Sequence, residues 1–220
     1  LLLPVSAWNV DYVVASRNIW LMYSFNEPGF YSVVASKDDT HVTLVPSPTG
    51  GQVREGGGVP TSGAATVTLH AGDVLQVLSQ GDATYDLTGT RVTSDKPVQV
   101  FGGHNCTYIP SSVAACDHIE EAMFPISSLS AEYIVSAPSL PTLTQPKAAF
   151  TRIIAIEADT HVTYDPASPG AGAATAIALA GGYIEIDNDS AFRISADKRI
   201  LVAQYMKGQD AGGGSGDPAM

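Results

Sequence analysis

Apolar and polar side chains alternate with a period of two along several short stretches of this chain. In Thr66-Val67-Thr68-Leu69-His70 the apolar side chains fall on one side of an extended backbone and the polar ones on the other. Gly72 and Asp73 interrupt this stretch, and the alternation resumes at Val74. The pattern predicts β-strands with one buried and one solvated face. In the first half of the chain it places strands at residues 12–15, 31–35, 41–45, 66–70, 74–78, 90–93 and 98–101.

The chain also contains one sequence unit twice. Motifs of the first copy recur in the same order in the second, which indicates an internal duplication rather than chance. The corresponding pairs are Pro4 to Tyr12 with Pro125 to Tyr133, Asp-Thr-His-Val-Thr at 39–43 and at 159–163, the turns at Gly72 and Gly182, and Asp95-Lys96 with Asp197-Lys198.

We place the two copies at residues 1–121 and 122–220, and we expect a third copy to start just after residue 220. About seven short strands per copy, joined by Gly- and Pro-containing turns, favour an all-β fold of tandem β-sandwich or jelly-roll-like repeats. A radial array of propeller-like blades is the alternative architecture.

Two segments between the predicted strands are interpreted as loops or turns. The Gly-rich excursion at residues 47–63, and a shorter one at 167–173, should form surface loops without a structured element of their own. The first lacks the Gly-Lys-Ser/Thr of a phosphate-binding loop. Asp86-Leu-Thr-Gly-Thr90 should form a turn, with the Asp86 and Thr88 side chains bonding backbone amides.

Charge and hydropathy exclude two classes of partner. The chain has a formal net charge of −11 and no cluster of Lys or Arg, so it lacks the basic surface that nucleic acid binding requires. No apolar run reaches the roughly 18–20 residues of a transmembrane helix, so we expect no membrane insertion within this segment.

Cys106 and Cys116 bracket a short segment that contains Pro and Ser. An even number of cysteines at close spacing suits a disulfide in an oxidising, extracellular compartment, and such a closed loop would add roughly 2–3 kcal/mol of stability. Two separate buried thiols are the alternative, and two cysteines alone cannot complete a zinc site.

Directly after Cys116 comes a polar cluster, Asp117, His118, Glu120 and Glu121. It is a candidate recognition surface or divalent-cation site, with calcium as the possible ion, although these residues supply only part of a calcium shell. The alternative is a structural role, in which Asp117 and His118 hydrogen-bond the backbone of the cysteine loop.

Other candidate residues are best explained by packing. His41 and His161 occupy matching positions, and one His per copy is a weak metal site, so we expect surface or inter-repeat packing. The aromatic residues Trp8, Trp20 and Tyr23 could stack on sugars, but buried packing is the interpretation we adopt.

Cys106-Thr-Tyr-Ile-Pro110, the run Ala115 to Glu121 and Phe124-Pro125 resemble the N-terminal domain family of the IgG Fc-binding protein. The segments Asp86 to Thr90, Ser94 to Val98, and Gly216-Asp217-Pro218 extend the resemblance over nearly the whole chain. The resemblance implies an extracellular or cell-surface setting, a bridge between the two cysteines, no catalytic activity, and a binding or scaffolding role. The low Lys content resembles bacterial members of the family.

Three functions follow as hypotheses. The first is a non-catalytic extracellular module that binds a protein or glycan ligand through residues 47–63 and 106–121, or assembles with itself through open strand edges. The second is a cation-stabilised adhesive repeat. The third is a carbohydrate-active enzyme that uses carboxylates which the sequence does not single out.

Overall fold

The computed structural model describes residues 1–22, 25–139 and 146–211, and these residues form mainly antiparallel strands. The all-β fold of tandem β-sandwich-like repeats is therefore confirmed. Short 3-10 turns, η1 (Val5–Ala7) and η2 (Ile126–Ser128), precede the first strand of each repeat. The strands are β1 (Asn9–Val13), β2 (Trp20–Met22), β3 (Phe25–Glu27), β4 (Gly29–Ala35), β5 (Thr40–Val45), β6 (Gln52–Val53), β7 (Ala65–Leu69), β8 (Val74–Gln80), β9 (Arg91–Thr107), β10 (Asp117–Ala122), β11 (Ser130–Val135), β12 (Ala149–Ala155), β13 (Thr160–Asp165), β14 (Ala176–Ile177), β15 (Tyr183–Asn188) and β16 (Phe192–Met206).

The chain folds into two compact units whose limits differ from those of the sequence repeat. Unit 1 comprises Leu1–Asn105 and Glu120–Ser128, and unit 2 comprises Cys106–Ile119 and Leu129–Met220. Each unit therefore contains a segment that belongs, by sequence, near the junction of the two copies. The copy limits at residues 121 and 122 remain a prediction about the sequence, and the expected third copy and the Gly-rich run before it lie outside the described residues.

Strand β9 organises unit 1. Its first part pairs with β1 and β5, for example Val92 with Tyr12 and with Leu44, and its second part pairs with β4 and β10. The separate strands predicted at 90–93 and 98–101 are therefore wrong, because they form one continuous strand. Pro97 lies where β9 leaves β5 and joins β4, so its missing N–H removes no ladder bond there.

Unit 2 repeats this arrangement around β16. Ile194 pairs with Tyr133 of β11 and with Tyr164 of β13, and residues 200–206 pair with β12. In both units a tyrosine closes the bulge at the start of the first strand. The hydroxyl of Tyr12 donates to the Val98 carbonyl at 2.8 Å, and that of Tyr133 donates to the Ile200 carbonyl at 3.0 Å.

The structure shifts one of the sequence matches by a residue. The N–H of Gly72 donates to the Ala35 carbonyl, and the N–H of Gly181 makes the same bond to Ala155, at 3.0 and 2.7 Å. Both glycines have a positive φ, 87° and 78°, which side chains rarely adopt. Gly181 is therefore the counterpart of Gly72, and the predicted correspondence with Gly182 is wrong.

The core of each unit consists of the inward side chains of these strands. In unit 2 the sheet has apolar residues on both faces. Ile153, Ile186 and Ile194 are fully buried on the first face, and Tyr205 is fully buried on the second. The second face of unit 2 is where the cysteine segment packs.

The Gly-rich excursion of the first copy is more structured than the sequence indicated. Gln52–Val53 forms β6 and pairs with β8, Val59 is buried, and the hydroxyl of Ser47 donates to the Thr88 carbonyl. The expectation of a loop without any structured element is therefore wrong. The turn predicted at residues 86–90 is confirmed, since the Thr88 N–H donates to the Asp86 carboxylate at 2.8 Å.

Candidate functional site

A disulfide joins Cys106 to Cys116, with the two Cα atoms 5.1 Å apart, so the predicted bridge is confirmed. Between these cysteines the chain leaves β9, turns and returns as β10. Ile109 within the loop and Ile119 on β10 are fully buried, and both pack in unit 2 against Tyr205. The cystine loop, residues 106–116, is thus part of the core of unit 2 rather than a detached surface loop.

Gly208 lets the backbone of unit 2 approach this loop closely. Its N–H donates to the Ile109 carbonyl at 2.7 Å. A Cβ atom added at this position would lie 2.8 Å from the Cβ of Ala115 and 3.2 Å from a carboxylate oxygen of Asp117. Any larger residue would push the cystine loop away from β16, so glycine is required by the close approach.

The four predicted polar residues do not share one environment. Asp117 is half-buried beside Gly208, whereas His118 and Glu120 are exposed and flank the buried Ile119. Glu121 is half-buried, and one of its carboxylate oxygens accepts the N–H of Ala122 at 2.8 Å. Asp117 and His118 belong to unit 2, and Glu120 and Glu121 to unit 1. Across residues 1–22, 25–139 and 146–211, no three His, Cys, Asp or Glu side chains come together as a metal ion would require.

A buried charged residue lies on the same face of unit 2 as Tyr205. The guanidinium of Arg152 donates to Glu185 at 2.5 Å and lies 4.3 Å from the ring centre of Tyr183 and 5.6 Å from that of Tyr205. Strand register explains the arrangement, because Arg152 of β12 pairs with Glu185 of β15. The ion pair offsets part of the cost of burying the guanidinium, and the rings add cation–π attraction.

A second cation extends this arrangement towards the end of β16. The ammonium of Lys207 lies 2.7 Å from Asp187 and 4.9 Å from the ring centre of Phe150. Sequence reasoning missed both cation–aromatic groups. The alternation of charged and aromatic residues in β12 and β15 carried the signal, but only the strand register shows which residues meet.

The two histidines predicted to pack on the surface form a repeated clamp. His41 bonds Asp95 through its backbone N–H and through ring Nδ1, and His161 bonds Asp197 in the same way. The neighbouring Lys96 donates to the carbonyls of Asp38 and Asp39, which closes the turn between β4 and β5. The clamp fixes a turn to the long strand of each unit, so its role is structural.

The predicted aromatic residues provide no open stacking platform within the described residues. Trp8 is half-buried, and its indole N–H donates to the Leu3 carbonyl at 3.1 Å. Trp20 is also half-buried on β2. Tyr23 lies outside the described residues. Both tryptophans are therefore half-buried, and their buried packing stays a prediction.

A cavity lies beneath the Gly-rich excursion of unit 1. Tyr31, Val59 and Leu87 line it, and its volume is about 20 Å³. That space holds about one water molecule, whereas pockets for small organic ligands measure roughly 300–1,000 Å³. Burial raises the pKa of the Tyr31 phenol, which agrees with a closed, largely apolar cavity.

Among the described residues, no helix is both long and apolar enough to cross a bilayer.

Comparison with known proteins gives one family and one characterised relative. A family model described as IgGFc binding protein matches residues 1–220. The human IgGFc-binding protein is 34% identical over 101 residues, which cover 43% of this chain and 2% of that protein. The chain therefore corresponds to a small part of this relative. No solved structure matches.

Proposed function

The chain belongs to the IgGFc-binding protein family, and we propose that it is a non-catalytic, extracellular module that binds other proteins. Family membership supports the extracellular setting and the binding role. The human relative is named for binding the Fc part of IgG, but the alignment covers 2% of its length. Fc is therefore a probe for this chain rather than an assumed ligand.

The observation that carries the proposal is the cystine loop packed on unit 2. A disulfide and two fully buried isoleucines hold this segment in one conformation, so its exposed residues are presented with little conformational freedom. Rigid presentation lowers the entropy cost of association. The cavity beneath the excursion is too small to hold an organic ligand.

We place the contact residues on the exposed parts of the two segments selected from the sequence. In residues 106–121 these are Ser111, Ser112, His118 and Glu120, all of which are exposed. In residues 47–63 the exposed tip contains Glu55. A glycan ligand and self-assembly through strand edges are the finer alternatives within the same binding role.

The test is a binding measurement on the immobilised chain, with human IgG Fc, Fab of the same antibody, and an intact mucus glycoprotein as probes. We expect saturable binding to at least one probe below about 0.1 mM, a range typical of weak specific complexes. Replacing His118→Ala together with Glu120→Gln should weaken that binding about tenfold. Glu157→Gln, an exposed acid in the second copy, is the matched control.

Each outcome is informative. Binding that survives oxidation of glycans with periodate supports a protein ligand, and binding lost on that treatment points to a glycan instead. No saturable binding to any probe, or turnover of a glycan that depends on a carboxylate, would contradict the proposal.

A further inference from the structure

Each unit has one sheet edge that its own Gly-rich excursion covers. In unit 1 the N–H of Arg54 donates to the Leu78 carbonyl of β8 at 2.9 Å. In unit 2 the N–H of Asp187 in β15 donates to the Ala171 carbonyl, also at 2.9 Å. An open strand edge can pair with a strand of another molecule, and natural proteins usually cover such edges or charge them. The chain therefore protects this edge in both units.

Strand β7 (Ala65–Leu69) forms the opposite edge of the sheet in unit 1. Among the residues that the structure describes, β5 is the only strand that pairs with it. Its counterpart β14 lies at the same edge of unit 2 but has only two residues, and a very short edge strand resists pairing. Because β7 has five residues, it offers the longer free edge of the two.

The sequence around β7 lacks the residues that usually protect an edge. The strand itself contains neither proline nor a charged residue, and between Glu55 and Asp73 the chain has no Lys, Arg, Asp or Glu. Each copy of the chain carries a formal net charge of −11, so two copies repel each other. A contact between copies is therefore favoured where neither copy contributes a charge, and β7 meets this condition.

The residues of β7 are also complementary to themselves. Val67 is 7% exposed and faces the core, and it lies between the exposed residues Thr66 and Thr68. If two antiparallel copies of β7 pair with Val67 opposite Val67, Thr66 of each copy lies opposite Thr68 of the other. Threonines opposite each other on neighbouring strands hydrogen-bond, as the hydroxyls of Thr43 and Thr66 do at 3.2 Å within unit 1.

We propose that β7 is a self-association edge, which pairs antiparallel with β7 of a second copy of this chain about a two-fold axis at Val67. Such a contact uses the same surface on both copies and closes on itself, so it gives dimers rather than filaments. This inference deepens the proposed binding role and rests on it, because it names the strand edge and the partner for self-assembly.

A ladder of five residues on each side is a small contact, so the dimer of the isolated chain should be weak. Tethering copies in one polypeptide or at one surface raises their effective concentration to the order of mM, at which a weak contact is occupied. The pairing would then join the sheets of two units into one continuous sheet without any change inside either unit.

The test is sedimentation equilibrium of the chain by itself, at concentrations up to about 1 mM. We expect the average mass to rise with concentration and to level off at that of a dimer. Thr66→Lys together with Thr68→Lys places like charges opposite each other and should weaken association about tenfold or more. Thr163→Lys together with Ser190→Lys adds the same charge at exposed positions of unit 2 and should not weaken it.

Mixing two variants tests the register of the pairing. Thr66→Asp together with Thr68→Asp should also fail to associate alone, but its mixture with the lysine variant should form dimers that contain one of each. Opposite charges then face each other across the axis, and a variant that had failed to fold would not be rescued. In the wild-type dimer, hydrogen exchange should slow at the β7 amides that point away from β5.

A wild-type chain that stays monomeric at about 1 mM, a mass that grows beyond a dimer, or equal loss in the unit 2 control would overturn the proposal. So would a mixture of the lysine and aspartate variants that stays monomeric. A monomeric chain that still binds one of the probes overturns the pairing and leaves the binding role intact. A dimer that binds none of the probes contradicts the binding role and leaves the pairing intact.

Discussion

The carboxylate of Asp95 accepts two hydrogen bonds from His41, from the backbone N–H at 2.8 Å and from ring Nδ1 at 2.9 Å. Both bonds favour the charged carboxylate, chiefly the bond from the ring, and hold the pKa of Asp95 below its ordinary value of 3.8. The second copy reproduces the relationship between Asp197 and His161, where the backbone bond is the larger cause of the lowered pKa.

The first prediction is that this clamp stabilises the fold only while the aspartate is ionised. A carboxyl group whose pKa is lower in the folded state adds stability above the unfolded pKa, near 3.8, and loses it as the pH falls through the folded pKa. Asp95→Asn should therefore lower the denaturation midpoint at pH 7. The difference from wild type should shrink as the pH falls below about 3.8.

The exposed Asp189 serves as the control for this experiment. Asp189→Asn should leave the denaturation midpoint unchanged, at pH 7 and also below about pH 3.8. A difference for Asp95→Asn that stayed constant down to pH 2 would show that charge has no part in the clamp.

The second prediction compares two isoleucines in unit 2. Ile109 is fully buried against Tyr205, whereas Ile134 is exposed. Ile109→Ala should cost about 2–5 kcal/mol of the free energy of unfolding, because it leaves a cavity in the core. Ile134→Ala should change it by no more than about 0.5 kcal/mol. Equal effects in urea denaturation would contradict the packing of the cystine loop.

The third prediction concerns the disulfide. Replacing both Cys106 and Cys116 by Ser should remove roughly 2–3 kcal/mol, the loop-closure entropy of a short cross-linked segment. Because residues 106–119 fold with unit 2, hydrogen exchange should accelerate first in β12 and β16.

Fluorescence offers an internal reference for the disulfide variant. Both tryptophans, Trp8 and Trp20, belong to unit 1. Their emission should therefore change little in this variant, while hydrogen exchange in unit 2 becomes faster. Faster exchange in β4 and β8 with no change in β12 would count against this assignment of the loop.

The fourth prediction concerns the buried ion pair between Arg152 and Glu185. Glu185→Ala should destabilise the chain by about 3 kcal/mol, because it leaves a buried guanidinium without its carboxylate. The double replacement Arg152→Met with Glu185→Leu should be much milder, since it removes both charges of the pair and leaves neither one buried without the other. Thermal melts of the two variants and of wild type would measure the difference, and a double variant worse than the single one would refute this explanation.

Local sequence patterns predicted the class of the fold. They could not predict which distant strands pair, or in which register. Period-two alternation located strands such as Val74–Gln80, because a buried and a solvated face leave that signature in any strand. The sequence did not predict the continuous β9. Proline is unfavourable inside a strand, and only the position of Pro97 between two partner strands makes it tolerable there.

The candidate site was predictable only where neighbouring residues carry it. The disulfide followed from two close cysteines. Arg152, Glu185 and Tyr205 are far apart in the sequence, and they meet only because β12 lies between β15 and β16. The segment Asp117 to Glu121 looked like one polar cluster, but the pleat of β10 turns Ile119 inward between two exposed residues.

The packing of residues 106–119 in unit 2 has a practical meaning for anyone who subdivides the gene. A recombinant fragment that begins at residue 122 would lack Ile109 and Ile119, so its Tyr205 would face water, whereas one that begins at residue 106 would keep this cluster together. The limits of the duplicated sequence therefore differ from the limits within which a fragment keeps its whole hydrophobic core.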